Sequence, residues 1–238
     1  MIIKKSFSEK TIEFHKGLIK KSFGIRDIKK IGEDNVRQLR YWIDNDLIGE
    51  GKQNNKTKNS NWDKFNFYEF IWILIVRELK ELNFDNTIIK KCAKEIFSRP
   101  DKVYVGLEFE KAVRYALSGR KKAFITITKN GTFNFYNKDT FKEISDSDVE
   151  ETFVVMNFIK LIKSFLYLKE FLNYIIDCKI LRDNEIKVLE MLHNSETIGI
   201  VIETDDERIV INPGKNAVKD FINKIFIYPK YNSLSINL

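Results

Sequence analysis

The stretch "KFNFYEFIWILIVRELKELNFDNTIIKKCAKEIF", residues 64–97, constrains the fold most. From Phe70 to Val76 it is apolar without a break. A run of that length is far too short to span a bilayer, so it has to be buried in protein. Asn66 stands three residues before Glu69, the spacing of a capping box, in which each residue's side chain bonds the other's backbone N–H. The pattern predicts a helix from residue 67 to about Leu82, an interruption at Asn83, and a second helix from about Asn86 to Phe97. Pro100 closes the unit.

The chain before this pair reads as further short helices. Ser8 can cap a helix running to about Lys20, and Gly24 interrupts. A short helix is predicted from about Ile25 to Ile31, ended by Gly32. Asp34 or Asn35 then caps another, running through about Asn45. On this last helix Val36, Leu39, Ile43 and Leu47 form one stripe. Arg37, Gln38 and Tyr41 lie opposite, and Arg40 flanks the stripe. Helix, tight turn and helix, with arginine on the exposed face of the second, is the pattern of a helix-turn-helix. Arg and Gln on such a face can read base edges in the major groove.

Next, Ile48 is expected to begin an extended piece, with Gly49 and Gly51 permitting a turn. Lys52, Lys56 and Lys58 sit on the loop, Lys64 follows, and Phe65 ends a return strand. A basic loop beside a recognition helix makes a wing that lies along phosphates. The plainer alternatives are a surface loop rich in Asn, Gly and Lys, and an Arg40–Asp44 ion pair at i, i+4.

Charge agrees with an anionic partner for this part of the chain. Residues 1–99 hold 21 basic and 14 acidic side chains, whereas residues 100–238 hold 20 of each, so the whole net charge of +7 lies in the first part. Part of the lysine reflects a chain rich in Lys, Asn and Ile, but that bias alone would enrich both halves. Cys92 and Cys178 sit in apolar helical patterns and argue against a disulfide framework. With His15 and His193 they match no zinc spacing. The N-terminal "MIIKKSFSEK" lacks an apolar secretory core, so a cytoplasmic protein without a membrane partner is expected.

Several of these residues stand in the order of a known family. "LRYWIDNDLI", a wing, "KFNFYEF" and "IVRELKELNFDNTIIKK" together resemble the DNA-binding domain of the MerR family over residues 23–98. Leu39, Arg40, Tyr41 and Trp42 match its recognition-helix motif, and Leu47 and Ile48 the turn after it. Lys64, Phe65, Asn66, Glu69 and Phe70 stand where the wing returns. Leu82, Asn83 and Phe84 stand where the family has Leu-Gly-Phe. The resemblance implies a winged helix-turn-helix in which Arg40 and Tyr41 touch phosphates and residues near the helix start reach bases. Trp42 is expected to pack in the core.

Beyond residue 100 no family signature is visible. A helix is expected from about Glu108 to Leu117. A hairpin should turn at Asn130-Gly131, between Phe124–Thr128 and Thr132–Tyr136. A second should turn at Asp205-Asp206, and "IFIYPK" and "SLSINL" could add strands. Between the hairpins, a long apolar helix is predicted from about Ser147 to Cys178, and another helix from about Asn184 to His193. Leu161, Phe165, Leu168 and Leu172 on the long helix keep helical spacing and offer a ridge for dimerisation, unless that ridge packs inside the domain. No Gly-rich phosphate loop, nucleophile triad or carboxylate pair stands out, so an enzyme is not expected.

The expectation is therefore an α+β protein in three parts. Residues 1–22 form a basic helix. Residues 23–98 form a mainly α, MerR-like winged helix-turn-helix. Residues 101–238 form an α+β dimerisation or effector domain with two hairpins and a long helix. The expected function is sequence-specific binding of double-stranded DNA as a homodimeric transcriptional regulator. A small-molecule or protein effector at the C-terminal domain is possible, with no metal and no cofactor expected. DNA contacts are assigned to Arg37, Gln38, Arg40, Tyr41, Lys52, Lys56, Lys58 and Lys64. The alternatives are an architectural or excisionase-like DNA-binding protein and a winged-helix protein-interaction module.

Overall fold

The structure, a computed structural model, describes residues 23–24, 36–48, 64–97, 109, 112–113, 115–116, 123–145, 153–169, 181–195 and 197–237. In chain order the elements are β1 (Phe23–Gly24), α1 (Val36–Asp44), β2 (Lys64–Phe65), α2 (Phe67–Glu81), α3 (Asn86–Phe97), β3 (Ala123–Thr128), β4 (Phe133–Asn137), α4 (Lys138–Ser145), β5 (Phe153–Asn157), α5 (Phe158–Lys163), a 3-10 turn (Ser164–Tyr167), α6 (Asp183–Asn194), β6 (Gly199–Glu203), β7 (Arg208–Ile211), α7 (Ala217–Ile227) and β8 (Ser233–Asn237). This is a mixed α+β chain. Among the described residues no helix is long and apolar enough to cross a membrane.

Two compact units emerge. The first comprises residues 1–116 and 121–161, the second residues 117–120 and 162–238. The first hairpin thus belongs with the N-terminal helices, whereas the sequence pattern placed a boundary near residue 100.

In the first unit α2 is the central helix. The Asn66 N–H donates to Glu69 Oε2 at 2.8 Å, and the Glu69 N–H donates to Asn66 Oδ1 at 2.9 Å. The capping box therefore forms as the spacing predicted. Every residue from Phe70 to Val76 is fully buried. Each such side chain contributes roughly 1.5–3 kcal/mol relative to exposure.

Helices α1 and α2 end alike. After α1 the Leu47 N–H bonds the Trp42 carbonyl at 2.9 Å, and the Asp46 N–H bonds that of Ile43 at 3.1 Å. After α2 the Phe84 N–H bonds the Leu79 carbonyl at 2.9 Å, and the Asn83 N–H bonds that of Lys80 at 3.0 Å. Both are Schellman closures, which need a left-handed residue where glycine is usual. Asp46 (φ 55°) and Asn83 (φ 59°) take that place. Asn and Asp tolerate it better than other side-chain-bearing residues, but at a cost. Asn83→Gly is therefore expected to raise stability by about 0.5–1 kcal/mol, and Asn83→Ala to lower it by a similar amount. Urea denaturation checks both signs.

The first hairpin, β3–β4, turns through Gly131, whose φ is 79°. Its tip rests on α3: Cys92 Sγ donates to the Gly131 carbonyl at 3.1 Å, and a Cβ on Gly131 would stand 3.2 Å from the Ile88 carbonyl oxygen. Phe109 then joins separate elements, with ring centroids 6.3 Å from Tyr68 on α2, 5.7 Å from Phe133 on β4 and 6.1 Å from Phe158 on α5. Phe109, Ala112, Val113, Tyr115 and Ala116 are helical, within the helix expected there.

Three expectations are corrected. The long helix from Ser147 to Cys178 does not form. Residues 153–157 are a strand, β5, paired antiparallel to β3 from Phe124↔Asn157 to Thr128↔Phe153. The free edge of β3 needs a hydrogen-bonding partner, and adjacent β-branched Val154 and Val155 favour extended chain. Among the described residues of that span the helical parts are α5, the 3-10 turn and Lys169, and Leu168, which follows the 3-10 turn, is extended (φ −107°, ψ 125°). Leu161 and Phe165 are buried, so the proposed dimer ridge is lost along with the helix; Leu172 lies outside the described residues. Second, Ile48 does not start a strand. It is buried in the turn closing α1, and the partner of Phe65 is Phe23. Third, "IFIYPK" continues α7 through Ile227, while "SLSIN" forms the strand β8.

The second unit holds a sheet in the order β7-β6-β8 with α6 and α7. The β6–β7 hairpin turns at Asp205-Asp206 as predicted, with Thr204 Oγ1 accepting from the Asp206 and Glu207 N–H groups at 3.3 and 3.0 Å. Helices expected at Ser8–Lys20 and Ile25–Ile31 lie outside the described residues.

Candidate nucleic-acid interface

The exposed face of α1 is built by a strict division of its residues. Leu39, Trp42 and Ile43 are buried, and Val36 is half-buried. Arg37, Gln38, Arg40, Tyr41 and Asp44 are exposed and share the opposite arc. The structure thus brings together four of the eight predicted contact residues. Lys64 lies in β2, its backbone paired with Gly24. Lys52, Lys56 and Lys58 lie outside the described residues.

The apolar side of α1 is held by α2. Trp72 Nε1 donates to the Leu47 carbonyl at 2.7 Å, in a buried setting. Leu47 closes the Schellman turn, so this bond fixes the exit of α1 and the direction of its exposed face. At the same end, Lys90 Nζ stands 3.5 Å from Asp46 Oδ2. That pair is well exposed and contributes at most about 1 kcal/mol.

Tyr41 adds a link that the sequence pattern did not suggest. Its side chain is exposed (49%), yet its hydroxyl accepts a hydrogen bond from Asn86 Nδ2 at 2.9 Å. Asn86 opens α3, and its Oδ1 accepts from Lys80 Nζ at 2.9 Å. Lys80 Nζ also donates to the Phe84 carbonyl at 3.0 Å. Three helices thus meet beside Tyr41. The two ends of this contact are 45 residues apart, and no sequence spacing links them.

Cys92 is the free thiol of this unit among the described residues. Burial pushes its pKa up to about 12, with the nearby Glu95 carboxylate adding to the effect. It is a packed side chain under the hairpin tip, not a nucleophile at neutral pH. In the second unit an open groove of about 420 Å³ is lined by Val210, Pro213, Lys215, Asn223, Lys224 and Ile227, among others. It is not the closed apolar cavity that would mark a small-molecule sensor.

No family model, curated protein or solved structure matches the chain.

Proposed function

We propose that the protein is a sequence-specific regulator of transcription that binds double-stranded DNA through α1, in the manner of MerR-like winged helix-turn-helix proteins. One observation carries this reading: Arg37, Gln38, Arg40 and Tyr41 share the exposed arc of a short helix whose other side buries Leu39, Trp42 and Ile43. An arc of that composition can donate to phosphates and to base edges at once. The confinement of the net positive charge to residues 1–99 supports it. Lys52, Lys56, Lys58 and Lys64 would extend the phosphate contacts beside α1. The acidic and basic side chains of residues 100–238 balance, which suits an effector or partner role for the rest of the chain.

Selection of bound duplexes from a random-sequence pool tests the proposal. An enriched motif is expected. Arg37→Ala should weaken binding to that motif by about 1–3 kcal/mol if the side chain reads a base, with an unchanged circular dichroism spectrum. A pool that shows no enrichment over several rounds would remove sequence specificity from the reading. Equal retention of all sequences would favour the architectural alternative.

A further inference from the structure

We propose that Asn86 and Lys80 act as positioning residues that commit the Tyr41 hydroxyl to donating, so that Tyr41 selects an acceptor-only group on a bound duplex. The inference rests on the DNA-binding reading above and names the chemistry of one contact within it.

An ammonium group can only donate. The Asn86 atom facing Lys80 Nζ, 2.9 Å away, must therefore be the amide oxygen. This settles the orientation of an amide whose two ends are otherwise hard to tell apart. Lys80 is itself held by the Phe84 carbonyl at 3.0 Å, a backbone atom of the Schellman turn that ends α2. The other end of Asn86 is then the NH2 group, which also only donates. It meets the Tyr41 hydroxyl oxygen at 2.9 Å. A phenol has one proton and can accept as well as donate. Its oxygen is engaged as the acceptor here, so its proton is aimed away from Asn86. Tyr41 is half-exposed, on the same arc as Arg37 and Arg40. Such a group favours a partner that only accepts, and on DNA the phosphate oxygens and the acceptor atoms of the base edges both qualify. A hydroxyl left to rotate would lose part of this preference to water.

The test is a double-mutant cycle read by fluorescence anisotropy on the full chain, with a labelled duplex carrying the selected motif. Asn86→Ala should weaken binding about 3- to 10-fold, the net worth of one hydrogen bond. In a Tyr41→Phe background the same substitution should change affinity by less than about 2-fold, because the group it positions is gone. Asn86→Asp reverses the polarity. A carboxylate draws the Tyr41 proton toward itself, so binding should weaken at least as much as in Asn86→Ala. An acidic residue in the first turn of α3 favours the helix, so stability should hold. Any loss that Asn86→Asp causes in the Tyr41→Phe background measures added negative charge alone. The salt dependence is a further readout. Tyr41 is neutral, so neither Tyr41→Phe nor Asn86→Ala should change the slope of log affinity against log salt, whereas each lost cation contact lowers it by about 0.9. An equal effect of Asn86→Ala in both backgrounds, or a reduced slope, would overturn the inference and leave the DNA reading standing. A parent protein that binds no duplex would overturn both.

Discussion

Trp72→Ala is expected to lower the stability of the first unit by about 3–5 kcal/mol, the range for emptying a large aromatic site in a core. Trp72 is fully buried, its ring lies edge-on to Phe97 at 6.3 Å, and its Nε1–H bonds the Leu47 carbonyl. Trp72→Phe separates the two contributions. It keeps most of the apolar volume but removes the donor from a buried carbonyl, which costs about 1–3 kcal/mol by itself. Because Leu47 closes α1, both variants should also weaken DNA binding, with Trp72→Phe acting while the unit is still folded. Urea denaturation gives the stabilities, and binding below the transition gives the second effect. A Trp72→Phe protein with parental stability would mean that the Leu47 bond is not what fixes the end of α1.

Phe109→Ala should cost a similar amount, about 3–5 kcal/mol, and its consequence is spatially wider. Phe109 touches Tyr68, Phe133 and Phe158, which belong to α2, β4 and α5. Loss of its ring removes the edge-on contacts with Phe133 and Phe158, worth about 0.5–1.5 kcal/mol each beyond area. The first unit places the hairpin with the N-terminal helices, so both should lose protection together. Hydrogen exchange reads this directly. Faster exchange in β3 and β4 with α2 unchanged would divide the unit near residue 100, where the sequence pattern placed a boundary.

How much of this could be read from sequence depended on how local the determinants were. The α2 capping box needs only Asn66 and Glu69, three residues apart, and it formed as written. Both hairpin turns likewise rest on adjacent residues, Asn130-Gly131 and Asp205-Asp206. Residues 153–157 misled because an apolar run has no distinguishing period. Phe153, Val154 and Val155 follow one another without a break, so period separates neither helix nor strand there, and the strand preference of two adjacent valines was the one local signal. The edge of β3 decided between them, and that edge is set by pairing about 30 residues away, as Phe124↔Asn157 shows. The exposed arc of α1 was legible from helical spacing. Its tie to Asn86 was not, because two helix ends must meet before Tyr41 and Asn86 are neighbours.

Whether the exposed face of α1 binds duplex DNA is decided by the affinity of the full chain for a labelled duplex from about 50 to 200 mM salt, beside Arg37→Ala and Tyr41→Ala. Binding is expected to fall steeply with salt, by about 0.9 in the log–log slope per phosphate contact made by a cation. Both substitutions should weaken it at every salt concentration while the fold is unchanged. Binding that is absent at the lowest salt, or equally strong in the parent and both variants, would contradict DNA binding by this face.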